Sequence, residues 1–163
     1  MRQLILIFIL YTPYVVSAEN VSLTTIGWIE SVRLLPEKFE LQAKIDTGAD
    51  HSSLGVVDWQ SFERNGDEWI RYNVTNNDGH AQVFERPLER YALIKRKATE
   101  SLKRPVVKMW VCLGKKKILT QVNLAKRTKF KYRMLIGRSF LKGEFLVDSA
   151  AKHTQSTECT AAQ

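Results

Sequence analysis

The chain has 163 residues, a length typical of one domain, and 44% of them are hydrophobic, which is enough for one core. Its formal net charge is +8. A basic balance of this size suits anionic lipid, cell-wall polymers or acidic substrates, or describes a soluble surface rich in lysine. The signal-peptide pattern of residues 1–18 predicts export, and export argues against a nucleic-acid partner.

Residues 1–18 have the pattern of a signal peptide. Arg2 supplies the positive start, residues 4–10 form a short apolar run, and residues 16–18 form a small-residue cleavage site. The apolar run is too short to span a bilayer, although an uncleaved anchor is the alternative. We therefore predict that the chain is cleaved and exported to the periplasm or beyond, with at most a weak association with an anionic envelope surface.

Short apolar segments then alternate with turns. We predict strands over residues 26–35, 39–45, 68–74, 80–84, 105–113, 118–124, 134–136 and 144–147, a helical turn over 58–62, and a short helix that begins at Ser139. Residues 85–104 look like a charged insertion with a solvated loop at 95–97 and with Tyr91, Leu93 and Ile94 as possible strand residues. Residues 149–163 look like a disordered polar tail. The pattern predicts one all-β domain over residues 19–148, either a barrel or a sandwich.

The predicted strand over residues 39–45 leads directly into Asp46. Its apolar and polar residues alternate, as in a half-buried strand, and Thr47 and Gly48 then turn the chain. Gly48 has no Cβ, so another backbone or a substrate can approach this loop closely. The tripeptide Asp-Thr-Gly also occurs as an ordinary Asx-type turn, so this segment, the Asp46 loop (residues 46–50), needs a second motif beside it.

The second motif consists of Leu135, Ile136, Gly137 and Arg138. With the Asp46 loop it resembles the two signatures of retropepsins, in which an apolar-apolar-Gly segment sits against the Asp-Thr-Gly loop. Gly27, Trp28 and the segment RSFLKGEFLVD at 138–148 narrow the resemblance to the bacterial retropepsin-like aspartic peptidase family, which has also been labelled an ATP-dependent zinc protease. The resemblance covers residues 26–150. It implies an all-β acid-protease barrel with one short C-terminal helix.

The resemblance also implies roles for individual residues. In retropepsins two identical subunits each supply one aspartate, so a homodimer would join two Asp46 carboxylates across an isologous interface. Two carboxylates held this close share one proton and activate a water molecule between them. Thr47 would brace the two loops, and Gly48 would offer its carbonyl oxygen to the substrate. Leu135, Ile136, Gly137 and Arg138 would support the loop from below.

The substrate-binding residues that the resemblance implies are Ala49, Asp50, Asn77, Asp78 and Gly79. The last three form a predicted hairpin turn that has the chain order of a retropepsin flap, although an ordinary surface hairpin fits equally well. Asp50 matches the viral pattern, whereas many bacterial relatives carry arginine there. We expect Asp50 to pair with Arg138 in a largely buried ion pair. The insertion at 85–104 could cover the cleft or block the dimer.

The leading interpretation is an exported aspartic endopeptidase that acts on a protein or peptide substrate without a cofactor. The alternative is a catalytically inactive peptide- or envelope-binding module on the same fold. The sequence contains no Cys-x-x-Cys or His-Glu-x-x-His spacing, so we predict no metal ligands, although His51 and His80 could meet in space with acidic groups. Cys112 and Cys159 suit an exported protein, either as a disulfide or as two independent thiols.

Overall fold

The computed structural model describes residues 22–94, 102–126 and 130–159, which form eleven strands and one short helix. The predicted signal peptide and the predicted loop at 95–97 lie outside the described residues. In the part of the chain that is described, no helix combines the length and the apolar character that a membrane crossing requires.

The elements follow one another along the chain with short connections. They are β1 (Thr24–Gly27), β2 (Ile29–Leu35), β3 (Phe39–Ile45), β4 (Ser52–Val56), β5 (Trp59–Arg64), β6 (Asp67–Thr75), β7 (Ala81–Ile94), β8 (Leu102–Leu113), β9 (Lys116–Lys126), β10 (Met134–Ile136), α1 (Arg138–Leu141) and β11 (Phe145–Asp148).

Six of the strands close into a barrel. Their order is β2-β3-β10-β4-β9-β8, and β8 pairs back onto β2. Closure removes the open sheet edges, and alternate residues of each strand point into the core, as in β3, where Leu41 and Ala43 are 4% and 0% exposed. The strands β7, β6 and β5 continue outward from β8 as a meander, and β1 pairs with β11 in a separate two-stranded sheet. The predicted all-β, retropepsin-like barrel with one short helix is confirmed.

One local prediction is wrong because hairpin pairing decides it. The predicted helical turn at 58–62 lies in strand β5, which pairs with β6 across a tight turn at Asn65 and Gly66. Both turn residues have positive φ, 55° and 85°, the conformation that such turns require. The described part of the predicted insertion, residues 85–94 and 102–104, is strand, and Tyr91, Leu93 and Ile94 pair with β8 as strand residues. Its role as an insertion stays a prediction.

Residues 149–159 run along β2 with defined contacts, whereas the sequence analysis predicted a disordered tail from residue 149. The disorder prediction used the small, polar composition of this segment. Its contacts are made through backbone groups, a buried carboxylate and a disulfide, none of which a composition argument detects. The disulfide joins Cys159 to Cys112 in β8, so of the two states left open for the cysteines the structure contains the bridge.

Candidate active site

Strand β10 inserts between β3 and β4 and fixes the start of the Asp46 loop. It runs parallel to β3, with Ile136 beside Ile45. The backbone N–H of Asp46 donates to the carbonyl oxygen of Ile136 at 2.9 Å, and the N–H of Ile45 donates to the carbonyl oxygen of Trp28 at 2.9 Å. The residue that carries the carboxylate is therefore held at the strand end from both sides.

The Asp46 loop is closed by hydrogen bonds to Asp46 itself. The N–H of Gly48 donates to Asp46 Oδ1 at 3.1 Å, and the N–H of Ala49 donates to the Asp46 carbonyl oxygen at 3.2 Å. Asp46 is half-buried, while Thr47 and Gly48 are exposed. One carboxylate oxygen is thus oriented by the backbone, and the exposed loop beside it is open to a ligand or a second chain.

Gly137 packs directly beneath this loop. A Cβ at Gly137 would lie 2.6 Å and 2.7 Å from the carbonyl carbon and oxygen of His51 and 3.0 Å from the carbonyl oxygen of Ala49. The N–H groups of Arg138 and Ser139 donate to the carbonyl oxygens of Ala49 and Asp50, each at 2.9 Å. The two motifs found in the sequence therefore meet, and only a residue without a side chain fits at the contact.

Arg138 forms an ion pair with Asp50 and donates from Nη1 to the carbonyl oxygen of Thr47 at 2.9 Å. The expected pairing is present, but the expected burial is wrong: the side chains of Arg138 and Asp50 are 51% and 74% exposed. The reason is that the contact beneath the loop is made by the Gly137 backbone, while both charged side chains project outward from the barrel. An exposed pair of this kind contributes about 0–1 kcal/mol.

A groove of about 840 Å³ opens beside the ion pair. We call it the Arg138 groove, and its lining includes Thr47, Asp50, His51, Arg138, Leu141, Phe145 and Leu146. Its lining is mainly apolar on the side of α1 and β11, where Leu146 is 53% exposed, and Leu23 at its edge is 40% exposed. An apolar, open surface thus adjoins the Asp46 loop.

A second cavity of about 290 Å³ contains Asp46 itself. We call it the Lys44 pocket, and it is lined by Trp28, Lys44, Asp46, Phe130, Lys131, Tyr132 and Leu135. Lys44 and Asp46 lie two positions apart at the end of a strand, so their side chains share a face. Leu135 joins them because β10 pairs it with Lys44. The sequence analysis assigned no site role to Lys44, although the same period-two pattern would have placed it beside Asp46.

The hairpin at Asn77, Asp78 and Gly79 lies against the middle of β3. Asn77 Oδ1 accepts from the N–H of Gln42 at 3.2 Å, and Asn77 Nδ2 donates to the carbonyl oxygen of Lys131 at 3.0 Å. Asn77 and Asp78 line a different cavity from the one that contains Asp46. The hairpin therefore supports the wall of the Lys44 pocket at Lys131, and its role as a flap stays a prediction.

The two histidines considered as metal ligands have other surroundings. His51 lines the Arg138 groove, and the ring of His80 lies 5.8 Å from that of Phe39. Across residues 22–94, 102–126 and 130–159, no group of three or more His, Cys, Asp or Glu side chains is arranged to hold a metal ion.

Comparison with known proteins places this site in a family. A Desulfotalea psychrophila protein named probable alpha-L-glutamate ligase is 31% identical over 113 residues, which are 68% of this chain and 24% of that protein. A Shewanella pealeana protein of the same name is 29% identical over 111 residues, 66% of this chain and 24% of that protein. This chain thus spans about a quarter of the length of these relatives.

A crystal structure of a Legionella pneumophila protein of unknown function superposes with a TM-score of 0.72 and 32% sequence identity, covering 82% of this chain and 98% of that one. The RimB-like family model, described as retropepsin-like aspartic endopeptidase RimB, matches residues 25–158. This match covers both motifs of the site and the strands that carry them. The chain belongs to the RimB-like family of retropepsin-like proteins.

Proposed function

We propose that this chain is an aspartic endopeptidase whose active site forms between two copies of the chain, each of which contributes Asp46. The observation that carries the proposal is the placement of Asp46 at the end of β3, with one oxygen oriented by Gly48 N–H and the loop exposed. The sequence contains one Asp-Thr-Gly tripeptide, so one chain supplies one such carboxylate. Peptide hydrolysis of this class needs two.

The chemistry follows from bringing two Asp46 carboxylates together. Like charges at hydrogen-bonding distance cannot both ionise, so the pair would hold one proton between them. The ionised carboxylate takes a proton from the attacking water, and the protonated one donates to the developing oxyanion of the peptide carbonyl. Thr47 and Gly48 lie at the exposed tip of the loop, where they would meet their counterparts and the substrate backbone in the proposed dimer.

The surface around the Asp46 loop supports association with a second copy. The wall of the Arg138 groove formed by α1 and β11 is mainly apolar, and the exposed Leu23 and Leu146 lie along the groove. Among the described strands, β11 pairs with β1 alone, so its other edge is free to accept a strand. A two-fold partner that covered this edge would bury apolar surface and bring two Asp46 loops toward one axis.

The Lys44 pocket favours an acidic side chain next to the bond that is cut. Lys44 and Lys131 are two basic residues in the lining of a cavity that also contains Asp46, and Trp28 and Tyr132 line it as well. The relatives named probable alpha-L-glutamate ligase, of which this chain spans a quarter, point in the same direction. We therefore propose peptides rich in glutamate as the substrate class.

The compartment is part of the proposal. The signal-like residues 1–18 and the Cys112–Cys159 disulfide both suit an exported protein, because disulfides persist in oxidising compartments. The proposed enzyme therefore works in the periplasm or outside the cell, with weak envelope association through its basic charge.

The test compares the wild type with Asp46→Asn and with Asp67→Asn, a control at an exposed aspartate of β6. We expect Asp46→Asn to abolish cleavage of a glutamate-rich peptide library and to keep the wild-type melting temperature, while Asp67→Asn stays active. Activity per chain should fall on dilution as the dimer dissociates. Wild-type turnover by Asp46→Asn, or constant activity where sedimentation shows only monomers, would refute the proposal. Saturable peptide binding without turnover would favour the binding module.

A further inference from the structure

The segment after β11 forms a strap across the outside of β2. It comprises residues 149–159, and both of its ends are tied down. Near its start the carbonyl oxygen of Ala151 accepts from the N–H of Trp28 at 3.0 Å, and near its end the N–H of Glu158 donates to the carbonyl oxygen of Gly114 at 2.9 Å. The Cys112–Cys159 disulfide then closes it covalently onto the barrel.

A buried carboxylate holds the middle of the strap. Glu30 of β2 is 0% exposed. Its Oε1 accepts from the N–H and the hydroxyl of Thr154 at 3.0 Å and 2.7 Å and from the N–H of Gly27 at 2.6 Å, and its Oε2 accepts from the N–H of Gln155 at 3.2 Å. Three of these four donors belong to the strap. If the strap left, Glu30 would lose three of its four hydrogen bonds, so these bonds favour the closed strap.

Trp28 connects the strap to the Asp46 loop. This residue separates β1 from β2; its N–H donates to Ala151 of the strap, and its carbonyl oxygen accepts from Ile45, the residue before Asp46. Its ring also lines the Lys44 pocket, 6.4 Å from Tyr132. Lys152 of the strap places its Nζ 4.7 Å from the same ring. The backbone of Trp28 is thus hydrogen-bonded to the strap through its N–H and to the residue before Asp46 through its carbonyl oxygen.

The strap also packs very closely against Gly27, the residue before Trp28. A Cβ at Gly27 would lie 2.5 Å from the carbonyl oxygen of Ala151, so the neighbouring position has to be glycine for the strap to reach Trp28. We infer that residues 149–159 act as a positioning strap, closed by the disulfide, that sets Trp28 and through it the Asp46 loop. Opening the strap loosens the loop. The link from the loop to catalysis rests on the proposed function.

Reduction of the Cys112–Cys159 disulfide opens the covalent closure of the strap. Dithiothreitol breaks the S–S bond, each cysteine sulfur gains one electron and one proton, and the reagent is oxidised to its cyclic disulfide. The variant Thr154→Val weakens the strap without reduction, since it keeps the side-chain shape but removes the hydroxyl that donates to Glu30 and accepts from the N–H of Gly27 at 3.1 Å. The matched control is Ser156→Ala, whose hydroxyl donates to Glu158 within the strap.

The measurement is amide hydrogen exchange of the full chain, read by mass spectrometry. We expect reduction and Thr154→Val each to speed exchange at the amides of Trp28 and Ile45. The variant should do so by about ten-fold or more, from the loss of a hydrogen bond to a charged group. In both samples, exchange in β6 should match that of the oxidised wild type. Exchange of the Ser156→Ala variant should match that of the oxidised wild type throughout. This readout needs no activity, so it tests the strap even if the chain cleaves no peptide.

Two results would overturn the inference. Faster exchange within the strap but unchanged exchange at Trp28 and Ile45 would show that the strap does not position the loop. Equal increases in β6 and at Trp28 would show a general loss of stability in place of local coupling. In an active preparation Thr154→Val should lower kcat and raise KM, because it misplaces both Asp46 and Trp28, and both residues line the Lys44 pocket. If exchange at Trp28 and Ile45 became faster but kcat did not change, the strap would position the loop without affecting catalysis, and only the second part of the inference would be refuted.

Discussion

Replacement of Gly137 by alanine tests whether the two motifs support each other. The backbone at Gly137 has φ −94° and ψ 175°, which any residue adopts, so alanine brings no conformational strain of its own. Its added methyl carbon would instead lie 2.6–3.0 Å from backbone atoms of His51 and Ala49. Backbone cannot rotate away as a side chain would, so the Asp46 loop has to move off β10 and α1.

The expected loss of stability follows from this movement. Overpacking costs about 1–3 kcal/mol, and displacing the loop weakens the hydrogen bonds from Arg138 and Ser139, each of which contributes about 0.5–1.5 kcal/mol. We expect Gly137→Ala to lower the free energy of unfolding by about 2–5 kcal/mol. At about 2–4 °C per kcal/mol for a chain of this size, the melting temperature should fall by roughly 5–20 °C.

The assay is thermal unfolding of the wild type, Gly137→Ala and Gly48→Ala. Gly48→Ala is the matched control, because its added methyl would meet Asp46 Oδ1 at 3.3 Å, a side-chain oxygen that can shift. We expect this control to lose about 1 kcal/mol or less. If Gly137→Ala unfolds no more easily than Gly48→Ala, the segment below the Asp46 loop is not tightly packed, and the reasoning is wrong.

Three further predictions follow from the site and its surroundings. A double-mutant cycle on Asp50→Asn and Arg138→Met in the monomer, read by thermal unfolding, should give a coupling of about 0–1 kcal/mol, and a coupling above 2 would mean that the pair is more buried than described. Lys44→Glu should lower kcat/KM for peptides with glutamate at the cleaved bond and raise it for peptides with lysine there. If the ratio of the two kcat/KM values did not change, the Lys44 pocket would not select the acidic side chain. Because the hydrogen bond from Arg33 lowers the pKa of Glu40 from 4.5, this contact adds stability above about pH 4.5 and loses it as the pH falls through the lowered pKa. Arg33→Met should therefore reduce the acid dependence of the melting temperature in that range, and an identical pH profile would contradict the assignment.

Local patterns predicted an all-β domain and the Asp46 turn, while the barrel and the association of the two motifs were implied by the resemblance to retropepsins. Alternating apolar residues mark β3, and the Asp-Thr-Gly and Leu-Ile-Gly-Arg motifs specify a tight turn and a residue without a side chain. Strand β5 was missed because Trp59–Arg64 has no clear alternation of its own. Its structure depends on pairing with β6, a contact outside the segment itself.

The strap and the ion pair show which features require three dimensions. Nothing in the composition of residues 149–159 reveals Glu30, which lies about 120 positions earlier in the chain and is fully buried. The burial of Asp50 and Arg138 was overestimated because the argument placed the side chains where only the Gly137 backbone lies. Sequence spacing fixes which residues meet, but the direction of a side chain at a loop tip depends on the surrounding fold.

Three exposed features of the candidate site share one surface. The Asp50–Arg138 pair, the tip of the Asp46 loop and the apolar wall formed by α1 and β11 all line the Arg138 groove. An isolated chain gains little from an exposed ion pair or from an open apolar groove, since solvent screens the first and the second leaves apolar area in water. A two-fold partner would change both contributions, because it would exclude water from the pair and cover Leu146 in the same contact. In the proposed dimer Arg138, which donates to the Thr47 carbonyl oxygen within one chain, would also lie at the interface, so dimer formation and activity would be coupled.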